Sequence, residues 1–447
     1  MAIRRALLTT IVAACALAVA GPAEASVHTY TLRHGPVLMG GFNVKYPRGV
    51  VAVPPVDGSI VRMHARLVDA RGRRVTIRDV MLHHIVFHRV RRSSVRGECT
   101  NRRAEPFYGT GEENQSLDLP AGYGYRTRAS DRWEMRAMLM SHSQRLLNVY
   151  IQYRVTVDTS PKLTPVRAFW VRANGCSSGI GYGVAGGAGP GAIDTRRFNW
   201  RIPVSGRIVA AGGHLHGGAK DMWVSQPRCR NRRLLDTAPA YAMPRHLVYR
   251  AQPILHEPGP IDTRWFSSRQ GIAVRKGETL RVNATYSAAT PHAVMSVMHL
   301  YVAPPRAAPQ RCTKLPRDRR EIRKPGRFRR EPPTVKVPLN GLSPAGRTYT
   351  ILDPPWRVRP LASGSIVDVD SRGYRPRHVE LPVGGWLTWR VKGSTEHNVR
   401  FANGPHLIMT VSLRNGETAS RRFPLPGHYE LFCSLHPVTM HQIVDVR

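Results

Sequence analysis

The stretch Val149-Tyr-Ile-Gln-Tyr-Arg-Val-Thr-Val157 alternates apolar and polar side chains and puts Val149, Ile151, Tyr153, Val155 and Val157 on one face. A period of two fits an extended strand with one buried face and does not fit a helix. Leu280-Arg-Val-Asn-Ala-Thr-Tyr286 repeats the pattern. Comparable short runs, separated by Gly and Pro turns, continue towards the C-terminus, and no long helical periodicity appears beyond the first 25 residues. The pattern predicts an all-β chain built of sandwiches rather than βαβ units. At 447 residues the chain is too long for one ordinary core.

Composition shifts divide the chain. Met1-Ala-Ile-Arg-Arg5, an apolar run to Ala20 and the small-residue site ending at Ala25 read as a secretory leader, residues 1–25. Val12-Ala-Ala-Cys15 offers a lipoprotein attachment site as the alternative. No other apolar run reaches membrane-spanning length. Three blocks follow, at about 27–165, 166–305 and 333–447, with a connector at 306–332. Lys314–Arg330 within that connector holds nine Lys or Arg in seventeen residues, the composition of a linker. The glycine-rich stretch Gly179–Gly191 lacks the lysine and helix of a phosphate loop and reads as a surface loop.

The net charge is +38, with 67 Lys and Arg against 29 Asp and Glu. Such a surface attracts anionic partners: nucleic acid, acidic cell-wall polymers or lipid headgroups. No nucleic-acid motif accompanies the charge, so no specific nucleic-acid partner is expected. Beyond the leader five cysteines remain. By block placement Cys99 is expected to pair with Cys176 and Cys229 with Cys312, although four cysteines allow three pairings. Cys433 is left over, and an exported thiol needs burial or a metal to stay reduced.

Cys433 lies in Phe432-Cys-Ser-Leu-His436-Pro437, with Met440 four residues beyond His436. A thiolate, an imidazole and a thioether, joined by a second distant histidine, form the ligand set of a blue-copper electron-transfer site. His397, in Thr395-Glu-His-Asn-Val-Arg-Phe401, is the candidate for that second histidine. Met440 is the expected axial ligand and His441 its rival. On these motifs, residues 333–447 resemble a cupredoxin of the plastocyanin and amicyanin type. The resemblance implies a Greek-key β-sandwich and one type 1 copper.

Two further histidine motifs lie upstream. Asp79-Val-Met-Leu-His83-His84-Ile-Val-Phe-His88 is one, and Ala211-Gly-Gly-His214-Leu-His216-Gly-Gly218 is the other. His214 and His216 share a strand face, whereas His83 and His84 face opposite ways unless their strand bends. His142 and the Met295–His299 run supply further ligands. Motif order across roughly 260 residues resembles the copper type II, ascorbate-dependent monooxygenases, of which peptidylglycine alpha-hydroxylating monooxygenase is a member. That resemblance implies two jelly-roll-like β-sandwich domains, each with a mononuclear copper. One copper would be held by His83, His84 and His142, and the other, catalytic one by His214, His216 and Met295, with His299 competing for it. Up to three coppers are then expected in all.

The substrate anchors depart from that family. Gly212 stands where the family's peptide-amidating enzyme has an arginine, and His299 where the family has a tyrosine. The expected function is a secreted copper oxidoreductase, hydroxylating an unidentified substrate with electrons relayed through the third block from an acidic redox protein or small reductant. The alternative is an exported blue-copper electron carrier or copper-binding protein without turnover.

Overall fold

The computed structural model describes residues 26–447 except 41–42, 91–98, 100–103, 144, 177–179, 187, 250–257, 290–291, 311, 332–339, 343–347, 351–355, 402–411, 434 and 437–439. The expected leader at 1–25, with Cys15, lies outside the described residues. Among those residues the regular structure is strand apart from two three-residue 3-10 turns, Pro227–Cys229 and Leu247–Tyr249. Among the described residues, no helix is long and apolar enough to cross a membrane.

The first sandwich-like unit joins two sheets. One runs in the order Val27–Met39, Leu147–Asp158, Gly58–Val68, Tyr123–Thr127, Thr164–Pro165. The other runs Val44–Lys45, Trp133–Ser141, Val80–Val90, Ala104–Gly111. The period-two pattern sets what lies between them: Val149, Ile151, Tyr153, Val155 and Val157 are all fully buried. Each such side chain contributes about 1.5–3 kcal/mol of burial free energy, which holds the strand register against a one-residue slip.

In the second unit, one sheet runs Arg167–Arg172, Ser296–Ala303, Gly206–Leu215, Trp265–Val274, Arg320–Ile322. It faces a four-stranded sheet of Ile193–Arg201, Thr279–Ser287, Ala219–Gln226 and Arg232–Asp236, and Leu280, Val282, Ala284 and Tyr286 are buried between the two. Part of the glycine-rich stretch is a strand rather than loop: Tyr182–Val184 pairs with His292–Val294, just ahead of Met295.

The basic connector is not free chain over its described residues. Arg320–Ile322 extends the second unit's sheet beside Trp265–Ser267. Arg323 and Lys324 stand 3.5 and 3.8 Å from the buried Asp262 carboxylate. Composition shows the charge of this segment but not the buried acid that anchors it. The disulfides are Cys99–Cys176 and Cys229–Cys312. The first joins the two units, and the second ties the basic segment to the second unit.

The C-terminal unit packs a five-stranded sheet, Arg359–Pro360, His378–Leu381, His441–Val446, Gly427–Phe432 and Arg400–Phe401, against four strands, Gly373–Arg375, Ile366–Asp370, Trp386–Val391 and Thr418–Arg422. Trp389 and Tyr429 fill its centre, and Cys433 and Met440 belong to the same buried cluster.

Candidate metal centres

Among the described residues, two groups of three or more His, Cys, Asp or Glu side chains bring their ligand atoms within 4.8 Å of one another. One is His397, Cys433 and His436; the other is His83, His84 and His216.

The first group forms where two elements of one sandwich meet. Cys433 follows the strand Gly427–Phe432, and the turn after it is closed by its own backbone. The His436 N–H donates to the Cys433 carbonyl at 3.1 Å, the Met440 N–H to the His436 carbonyl at 3.1 Å, and the Cys433 N–H to the Met440 carbonyl at 3.1 Å. His397 is held from the other side by paired backbone bonds with Leu413, at 3.1 and 2.7 Å. The Asn398 N–H points at the Cys433 Sγ at 3.4 Å, and the Tyr374 hydroxyl fixes Asn398 through its carbonyl at 2.6 Å. The Cys433 Sγ lies 3.6 Å from His436 Nδ1, and the His397 and His436 ring centroids are 4.9 Å apart.

The donor chemistry fits a soft transition ion. Both ring nitrogens of His397 are buried and have no hydrogen-bond partner among the described residues. Burial pushes the His397 and His436 pKa values down, and for His397 the neighbouring His436 adds to the effect. Both rings are therefore neutral near pH 7, with lone pairs open. Burial pushes the Cys433 thiol up, opposed by the N–H groups of Asn398, Leu435 and His436 and by the Arg400 charge. Met440 is buried beside this group and His441 is half-buried in the following strand. Arg400 was missed in the sequence. It lies three residues beyond His397, in a stretch read only for its ligand.

The second group departs from the ligand sets implied by the monooxygenase resemblance. His83 and His84 do converge, with Nδ1 atoms 3.1 Å apart. A β-bulge makes this geometry: the pairing of Val80–Val90 with Trp133–Ser141 slips between Leu82 and His84, leaving His83 as the extra residue. The third member is His216 of the second unit, its ring centroid 4.6 Å from that of His83. His142 is not in the group; it is buried, with Nδ1 2.7 Å from the Ile77 carbonyl oxygen. Met295 lies half-buried between two strands, and its carbonyl accepts the Tyr286 hydroxyl at 2.6 Å. The same hydroxyl accepts the His216 N–H at 3.0 Å, so one phenol ties His216 and Met295 together.

His214 turns to a carboxylate. Its Nδ1 is 3.0 Å from Glu113 Oε1, Glu113 is fully buried, and Glu113 also accepts the Gly111 N–H at 2.9 Å. Burial pushes His214 down, but the Glu113 charge and hydrogen bond outweigh it and leave its pKa raised. Its Nε2 is buried without a partner among the described residues. His84 and His299 go the other way, each lowered to about 3 by burial and then by the field of His214. His299 stacks on Trp170 with centroids 4.0 Å apart.

Glu113 was missed in the sequence. The signal was there in Gly111-Glu-Glu-Asn114: two adjacent acids after a strand glycine, in a chain where bases outnumber acids by 67 to 29.

No family model matches the chain. Over 86 residues it is 29% identical to amicyanin-alpha of Methylorubrum extorquens, a span that is 19% of this chain and 72% of that protein. Solved structures of amicyanin variants align to the same extent. A copper(I) form aligns at 25% identity over 19% of this chain and 83% of that one, with a TM-score of 0.18. A reduced copper(I) form at pH 4 gives 25%, 19%, 82% and 0.18. A small part of the chain is thus similar to amicyanin. These likenesses lend the monooxygenase resemblance no support.

Proposed function

We propose that this protein is an exported blue-copper electron carrier, with His397, Cys433, His436 and Met440 as copper ligands. The observation that carries the reading is the convergence of a buried thiol and two imidazoles whose ligand atoms lie within 4.8 Å of one another. Bound there, copper supplies one-electron chemistry.

The chain's own residues set the rest. Asn398 holds an N–H on the sulfur, which tunes its electron density. The backbone-closed turn from Cys433 to Met440 keeps the ligands in place between valence states. His436 is half-buried beside the exposed Leu435, so the ring is where an electron can pass to or from a docked redox partner. A net charge of +38 favours an acidic redox protein as the donor, with a small reductant as the other source, and would hold the protein on anionic wall polymers. The N-terminal leader pattern supports export.

The hydroxylating reading rests on the histidines between the first two units. The departures at Gly212 and His299, and the changed ligand grouping, favour a carrier. The test is copper loading of the full-length protein, followed by visible absorption and electron paramagnetic resonance. An intense thiolate band with a narrow hyperfine splitting, reversible by one electron, is expected. Only ordinary histidine-type copper signals would overturn the reading. Oxygen uptake with formation of a hydroxylated product, across a panel of C–H substrates, would establish turnover instead.

A further inference from the structure

We propose that one late first-row transition ion is held between the first two sandwiches by His83, His84 and His216, and that it clamps these units together. This site is separate from the C-terminal one and does not depend on it. Its ligands come from two units: His83 and His84 from a bulged strand of the first, His216 from just past the strand Gly206–Leu215 of the second.

Nitrogens about 2.0–2.1 Å from a shared ion at a tetrahedral angle stand roughly 3.3 Å apart. The His83 and His84 Nδ1 atoms are 3.1 Å apart, close to that spacing. Three imidazoles without a thiolate suit zinc, cobalt, nickel or copper(II).

The surrounding interface is hydrogen-bonded and closely packed, and it brings the ligands together. The Tyr301 hydroxyl donates to the Phe107 carbonyl at 2.9 Å, Trp265 Nε1 to the Asp118 carbonyl at 2.8 Å, and the Tyr123 hydroxyl to the Arg269 carbonyl at 2.7 Å. Two glycines on the strand Ala104–Gly111 admit side chains of the second unit. A Cβ on Gly109 would lie 2.3 Å from the Trp170 ring, and one on Gly111 would lie 2.5 Å from the His214 ring. The buried Glu113 carboxylate places a negative charge on the far side of His214, whose ring centroid is 5.1 Å from that of His216.

The test uses the full-length Cys433→Ser protein, stripped of metal, so that the C-terminal thiolate cannot report. Titration with cobalt(II) should show one equivalent bound, with weak visible bands and no sulfur charge-transfer band. Zinc(II) should raise the melting temperature. His84→Gln and His216→Gln should weaken binding by at least the roughly 100-fold that loss of a supporting partner can reach. His142→Gln should leave it within a few-fold.

Should the variants fold poorly, the Cys433→Ser protein can be treated with diethyl pyrocarbonate with and without zinc, and the modified histidines mapped by peptide mass. Protection of His83, His84 and His216 supports the proposal. Absence of binding to the Cys433→Ser protein overturns it. So does loss of binding in His142→Gln or His214→Gln with retention in His216→Gln. The thiolate band of the unmodified protein remains a separate measurement, so failure here and failure of the electron-carrier reading are told apart.

Discussion

The two histidine clusters are built from similar donors in opposite ways. At the C-terminus, three of the four candidate ligands lie between Cys433 and Met440, on a turn that its own backbone bonds close, and the fourth comes from the same sandwich. Between the first two units, His216 lies more than a hundred residues from the adjacent pair His83 and His84 and comes from a different sandwich. A site of the first kind depends on one fold. A site of the second kind depends on a fold, a bulge and a docking interface together, and should respond to changes that leave the first untouched.

The largest expected effect is on the C-terminal site. Cys433→Ser should remove the thiolate–copper band completely while leaving the interdomain ion in place; joint loss of both would break the contrast.

Gly111→Ala comes next. Its Cβ would fall 2.5 Å from both the His214 ring and the His83 carbonyl oxygen, and the backbone atom cannot swing aside. Overpacking should cost about 3 kcal/mol in denaturant unfolding and abolish cobalt(II) binding between the units, with the thiolate band unchanged.

Glu113→Ala leaves the Gly111 N–H and His214 Nδ1 without their acceptor. A loss of about 2 kcal/mol is expected by the same measurement, with less for Glu113→Gln, which keeps an oxygen.

The smallest effect is a pH dependence of the metal-free chain, sharpest to read in the first unit. His64 and His88, both in the first unit, have pKa values lowered from 6.5 to about 4. Burial is the main cause for each, with help from Lys324, Arg66, Arg74 and Arg154 for His64 and from Arg136 for His88. The folded values lie below the unfolded one, so between pH 6.5 and 4 the unfolded chain binds more protons. Stability from these groups is complete above pH 6.5 and falls as pH drops towards 4. At pH 5.5 the loss should be about 1 kcal/mol per group, read from denaturant midpoints. A flat profile from pH 7 to 5 would show that these rings are more open to water than their burial indicates.

The strands were legible wherever one face is buried. Val149 to Val157 and Leu280 to Tyr286 gave their inward residues directly, because alternation and burial are the same fact seen twice. The Cys433 turn was legible because its ligands are neighbours in the chain. The anchorage of the basic segment was not legible, since Asp262 lies some sixty residues upstream and carries no local mark. His142 was grouped with His83 and His84 by motif order, and His216 was not.

The sequence by itself determined the β character, the inward faces of the strands and the donor set of the C-terminal turn, all set by interactions between residues a few positions apart. Only the tertiary structure decided which histidines meet, because that rests on one extra residue at His83 turning two adjacent rings the same way. It rests also on two glycines thin enough to let a second sandwich dock, and on a buried glutamate that turns His214 aside. Each of these acts across chain distances at which no local pattern is imposed.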